Sequence, residues 1–236
     1  MDFLKKASDA ASSAVETVTG TVNDNVLDEK KIAAALTEAL QVATEKAVSL
    51  VSVPDGFLSN KRIRVPVPKE IEPVHSTLIK LPGFDGIMEE FEVALNRAAE
   101  VASKEAKEIF APVIAGLTFE KAVEILNGAV NAATEFFEAC TRKVLYAKFL
   151  PIVKERMHDV GLVTAWEAIK EQVAKIPLLS MPDFDLNDYV TTRALDGLFV
   201  MLGLKEGEIR QQPAARVTPL LSEVFKHAGN ATAAKK

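Results

Sequence analysis

Apolar side chains return every three or four residues along almost the whole chain, which is the spacing of one buried face of an α-helix. At the start, Leu4, Ala7, Ala11, Val15, Val18, Val22 and Val26 form such a stripe. Leu4, Val15 and Val26 stand eleven residues apart, a repeat that keeps a stripe nearly straight along a helix. The stripe is built of small residues, and Thr17, Thr19 and Gly20 weaken the helix. Residues 1 to 26 therefore read as an amphipathic arm that needs a surface to lie on.

The body follows in segments. Asp28 is placed to cap a helix over 29 to 52, with Ile32, Leu36, Leu40, Ala43, Ala47, Leu50 and Val51 inward. Val53-Pro54-Asp55-Gly56-Phe57 is a turn signal. Residues 62 to 68 must be extended, since residues before proline avoid the helical region; this is the one stretch that could pair as a strand. Helices are predicted over 69 to 81, stopped by Pro82-Gly83, and over 85 to 111. A further helix is predicted from a Thr118 cap to Gly128, and one over 131 to 160 is bent near Pro151 and stopped by Gly161. Thr164-Ala165-Trp166-Glu167 reads as a capping box opening a helix to Ile176. After a loop over 177 to 186, helix resumes from Asn187 to Gln212, with a break expected near Gly203 and Gly207. Thr218-Pro219 starts the last helix, and residues 229 to 236 read as a disordered tail. The expected fold is all-α: one compact multi-helix domain over 27 to 228, preceded by the arm.

Composition narrows the class. The 236 residues are 48% hydrophobic and include one cysteine, so a core can form without a disulfide. The balance of 28 basic and 33 acidic residues, with no basic run, argues against a nucleic-acid partner. No apolar stretch approaches the roughly 20 residues of a membrane span, and the first residues lack the apolar core of a secretory signal. The expected location is cytoplasmic.

Motifs for chemistry are scarce. His75, His158 and His227 do not share a helix face, and there is no phosphate-binding glycine loop or nucleophile elbow. No residue pattern calls for a cofactor. Cys140, beside Phe136 and Phe137, reads as a buried apolar thiol. Asp183-Phe184-Asp185-Leu186-Asn187 starts like a calcium loop but lacks its later glycine and glutamate; Asp185 or Asn187 reads better as a helix cap. Glu89, Glu90, Glu92, Glu167 and Glu171 fall on solvated faces. Arg193, Asp196, Glu208, Arg210 and Arg216 gather late in the chain. Arg193 and Asp196 are three apart and can pair. The cluster reads as a structural fastening, or as a contact in which Arg210 or Arg216 meets an anionic headgroup or a partner's carboxylate.

Several segments resemble the domain-of-unknown-function family 4197, a mostly bacterial group. They are Asp188 to Phe199, Glu208-Ile209-Arg210, Pro213 to Arg216, Leu220-Leu221, Pro54 to Phe57, Leu95 to Glu100 and Lys148 to Pro151. The resemblance spans about residues 27 to 226. It implies an all-helical fold and no particular activity. Members of the family usually carry an export or lipoprotein signal, where this chain has the arm.

Three functional classes follow. The first is a non-enzymatic binding protein that holds an apolar small molecule or lipid, or docks on a membrane or protein partner through Phe3, Leu4, Val15, Val18 and Val22. Against the membrane version, residues 1 to 25 hold two lysines and four acids, which anionic lipid does not attract. The second is a structural component of a larger assembly. The third is an enzyme whose site assembles from distant residues.

Overall fold

A computed structural model describes residues 28–81 and 85–231, leaving aside the side chains of residue 85 and of 227–231. Nine α-helices and no strand occur among the described residues: α1 Glu29–Val51, α2 Glu72–Leu78, α3 Asp85–Ser103, α4 Ala106–Ala115, α5 Ala122–Leu126, α6 Ala132–Asp159, α7 Leu162–Val173, α8 Leu186–Gln211 and α9 Pro219–Ala231. The all-helical reading holds. No helix among them is long and apolar enough to cross a membrane.

The long helix α8 is the axis, packed by α1, α3, α6 and α9. Where α4, α6 and α8 meet, the rings of Phe110, Phe137 and Phe199 lie with centroids 5.6 to 5.7 Å apart. Such offset and edge arrangements stabilise a core beyond simple burial. A second aromatic row, Phe91, Trp166, Phe184 and Tyr189, ties α3 to α7 and to the start of α8. Asp28 and Asp185 cap α1 and α8 as their sequence contexts predict.

Several boundaries differ from expectation. The helix expected over 85 to 111 is two helices. The chain tightens into shorter-range bonds at Lys104 and Glu105, and Ser103 donates its hydroxyl to the Ala99 carbonyl. The turn lets α4 run beside α1 and bring Phe110 to its two partner rings. The capping box at Thr164 does not form. Val160 and Gly161, the latter at φ 75°, are the whole link from α6 to α7, and the fully buried Leu162 is drawn into the first helical turn. The helix expected from Thr118 begins only at Ala122, and that expected over 69 to 81 is a 3₁₀ turn, Lys69–Ile71, followed by α2.

Helix α8 runs unbroken through Gly203 and Gly207. Gly203 is a close approach instead, since a Cβ there would lie 3.3 Å from the Asn131 Cβ. The extended stretch around Val65 finds no strand partner. The Asn96 side chain takes that role, accepting from the Val65 N–H at 2.8 Å and donating to its carbonyl at 2.9 Å. The closing helix reaches Ala231, and the rest of the expected tail, 232–236, lies outside the described residues.

Candidate functional site

A cleft of about 550 Å³ opens between α6 and the segment leading through α5. One wall is Ala132, Phe136 and Cys140, spaced four apart and so on one face of α6. The other is Thr118, Glu120, Lys121, Glu124 and Ile125. The Phe136 ring is backed by the buried Phe119 at 5.2 Å, which fixes the floor. The charged groups belong to the rim, where Lys121 pairs with Glu124 at 3.4 Å and both are largely exposed. Val123 on α5 and Val130 in the link between α5 and α6 are exposed apolar side chains. The volume falls in the range of small-molecule sites, about 300 to 1,000 Å³. The arrangement can take apolar surface out of water.

Cys140 is exposed in this wall, which corrects the expectation of a buried thiol. The buried stripe of α6 is Ala133, Phe137, Thr141, Leu145 and Phe149. Cys140 precedes that stripe by one helical step, so it turns with Phe136 toward the cleft while Phe137 turns inward.

The late charged cluster divides in two. Arg193 lies with its guanidinium 5.3 Å over the Tyr189 ring and 3.7 Å from Asp196. Asp196 also pairs across to Arg142 on α6, which in turn pairs with Glu138 one turn earlier on the same helix. This set is partly exposed. The Arg210 side chain is instead nearly buried. Its Nε donates to Glu206 at 2.7 Å, and its other nitrogens donate to the Leu126 and Ile125 carbonyls at 2.8 and 3.2 Å, holding the end of α5. Arg216 donates to the Ile209 and Arg210 carbonyls, closing the C-terminus of α8. Glu208 pairs with Lys205 at 2.6 Å. The guanidinium groups of Arg210 and Arg216 are thus directed at backbone carbonyls of the fold itself. Phe3, Leu4, Val15, Val18 and Val22 lie outside the described residues.

Two buried carboxylates escaped the reading of residue patterns. Glu206 accepts from the Ala133 and Thr134 amides at 3.0 and 2.7 Å and from the Thr134 hydroxyl at 2.6 Å, so α8 caps the start of α6. Glu100 accepts from the Phe57 and Leu58 amides at 3.1 and 3.2 Å, and pairs with Arg97 at 2.6 Å. The signal was positional. Leu195, Leu198, Leu202, Glu206 and Ile209 keep one helical spacing, which puts the carboxylate on the buried stripe.

Residues 26–226 match the family described as Protein of unknown function (DUF4197). The chain belongs to this family. No curated protein and no solved structure matches it. Within the DUF4197 chain, the segments that carry the resemblance meet in space. Arg97 reaches Asp55 at 2.7 Å, Glu100 holds the backbone of Phe57 and Leu58, and the Phe57 ring lies against Gly197. Those signature residues are accounted for by folding; the cleft draws on other positions.

Proposed function

We propose that this DUF4197 protein is a non-enzymatic binding protein that takes an apolar small molecule or a lipid acyl chain in the cleft between α6 and residues 118–125. The observation that carries the reading is an open, apolar-floored cavity whose charges stand at its rim. Each methylene that leaves water there contributes about 0.8 kcal/mol. The test is a titration with cis-parinaric acid, whose fluorescence rises in apolar surroundings, on the full chain and on the chain carrying Cys140→Trp. The indole fills the mouth from an exposed helix position. We expect one probe per chain and at least tenfold weaker binding by the variant. Equal binding by both forms would sink the cleft as the site.

A second reading, a structural component of a larger assembly, is favoured by Leu178. It is fully exposed and holds φ at 68°, while its neighbours Ile176 and Leu179 pack on the core. A bulky residue held in the left-handed region costs about 1 to 3 kcal/mol, a strain that clusters at contact and switch sites. Light scattering after size exclusion of native extract tests it; a lone species of 25.6 kDa would discard it.

A further inference from the structure

Two lines of contact bring the α5 wall of the cleft toward the N-terminal end of α1, where residues 1–27 join the body. Helix α4 runs antiparallel to α1, since Lys107 pairs with Glu45 while Glu38 shares a groove with Ile114. The chain leaving α4 therefore emerges near the N-terminal end of α1, and α5, which packs on α1, follows at once. From the other side, Lys31 in the first turn of α1 pairs with Glu223 on α9. Two residues further along α9, the Phe225 ring carries Arg210, whose nitrogens hold the Ile125 and Leu126 carbonyls. Ile125 is itself a wall of the cleft.

We propose that residues 1–27 of the same chain are the resident occupant of this cleft, laying their apolar stripe against it until a ligand displaces them. This rests on the reading of the cleft as an apolar binding site. The length is ample, because 27 residues wound as a helix would span about 40 Å, several times the width of a cavity this size. The stripe of Leu4, Val15, Val18 and Val22 matches the way an amphipathic helix lays its apolar face into a groove. Its residues are small, so the gain per residue is slight and a larger apolar ligand can compete. Attachment to α1 makes the contact intramolecular, which raises its effective concentration to the millimolar range expected for a short tether. Ligand binding would then release the segment.

Cys140 supplies the reporter, because it is the chain's single cysteine and stands in the cleft wall. The rate of its reaction with Ellman's reagent is measured on the full chain and on the chain carrying Val15→Asp, Val18→Asp and Val22→Asp together. Far-ultraviolet circular dichroism verifies that the body is intact. We expect the variant thiol to react at least tenfold faster, with a rate in the parent that does not change with protein concentration. Equal rates overturn the proposal. Protection that grows with concentration also overturns it, since a second copy would then supply the cover. On the parent chain, benzophenone attached to Cys140 is expected to cross-link within the chain to peptides from residues 1–27; recovery of none overturns it too. If the thiol is unmasked in the variant but cis-parinaric acid binds neither form, the segment covers the cleft and the ligand reading alone has failed.

Discussion

Replacing Glu206 with glutamine is the sharpest probe of what holds this fold. Glu206 is fully buried, and its carboxylate meets four donors: the Ala133 amide, the Thr134 amide and hydroxyl, and the Arg210 Nε. Helix α6 depends on it, since Asn131, at the N-cap position, makes no side-chain cap. Glutamine keeps the shape but brings an amide whose own hydrogens face donors, so at least one of the four loses its acceptor. It also strips Arg210 of its counter-charge while that side chain stays nearly buried. Hydrogen bonds to a charged group contribute about 1.5 to 3 kcal/mol each. Breaking a buried ion pair from one side costs about 3 to 5 kcal/mol. The two figures describe the same event, so the expected loss is about 4 kcal/mol, a large share of the roughly 5 to 15 kcal/mol typical of a domain. In urea, where slopes run about 1 to 3 kcal/mol per molar, the midpoint should fall by more than about 1 M. Glu206→Gln combined with Arg210→Met should cost less than the sum of the single changes, by about 2 kcal/mol or more. A single-variant loss under about 1 kcal/mol, or strict additivity, would refute the assignment of Glu206 as the cap and counter-ion.

Two further outcomes are expected. Gly197→Ala places a methyl 2.4 Å from an edge carbon of the fully buried Phe57 ring, whose backbone is held by Glu100. Overpacking of this kind costs about 1 to 3 kcal/mol, and calorimetry should show Tm falling by about 3 °C or more; an unchanged Tm would mean that the ring does not sit there. The chain's two tyrosines should ionise late. Tyr146 donates to Asp188 at 2.6 Å, and that carboxylate pushes the phenol up to about 12, while burial raises Tyr189. Because the folded value for Tyr146 exceeds the unfolded value near 10, its stabilisation is complete below about pH 10 and is lost as pH climbs toward 12. An ultraviolet titration should show little phenolate in native protein at pH 10, and half-ionised tyrosine in urea. Native titration centred on pH 10 would contradict the Asp188 bond.

Local signals decided a good deal of this protein. The recurring apolar spacing specified helices, Asp28 and Asp185 specified where two of them start, and Gly161 specified the link between α6 and α7. These features act within one or two turns of chain, so the order of residues suffices to determine them. What lay beyond reach was every feature set by residues far apart in the chain. The division of the expected long helix at Ser103 serves the meeting of Phe110 with Phe137 and Phe199. Asn96 replaces a missing strand across 31 residues of sequence, and Glu206 caps a helix more than 70 residues away. The apolar cleft has no motif at all, because its walls come from two segments that become neighbours only when α5 and α6 pack. Local propensity carries no information about which distant groups will share a buried volume. Packing settles that, by leaving a polar atom no partner except the one the fold brings to it.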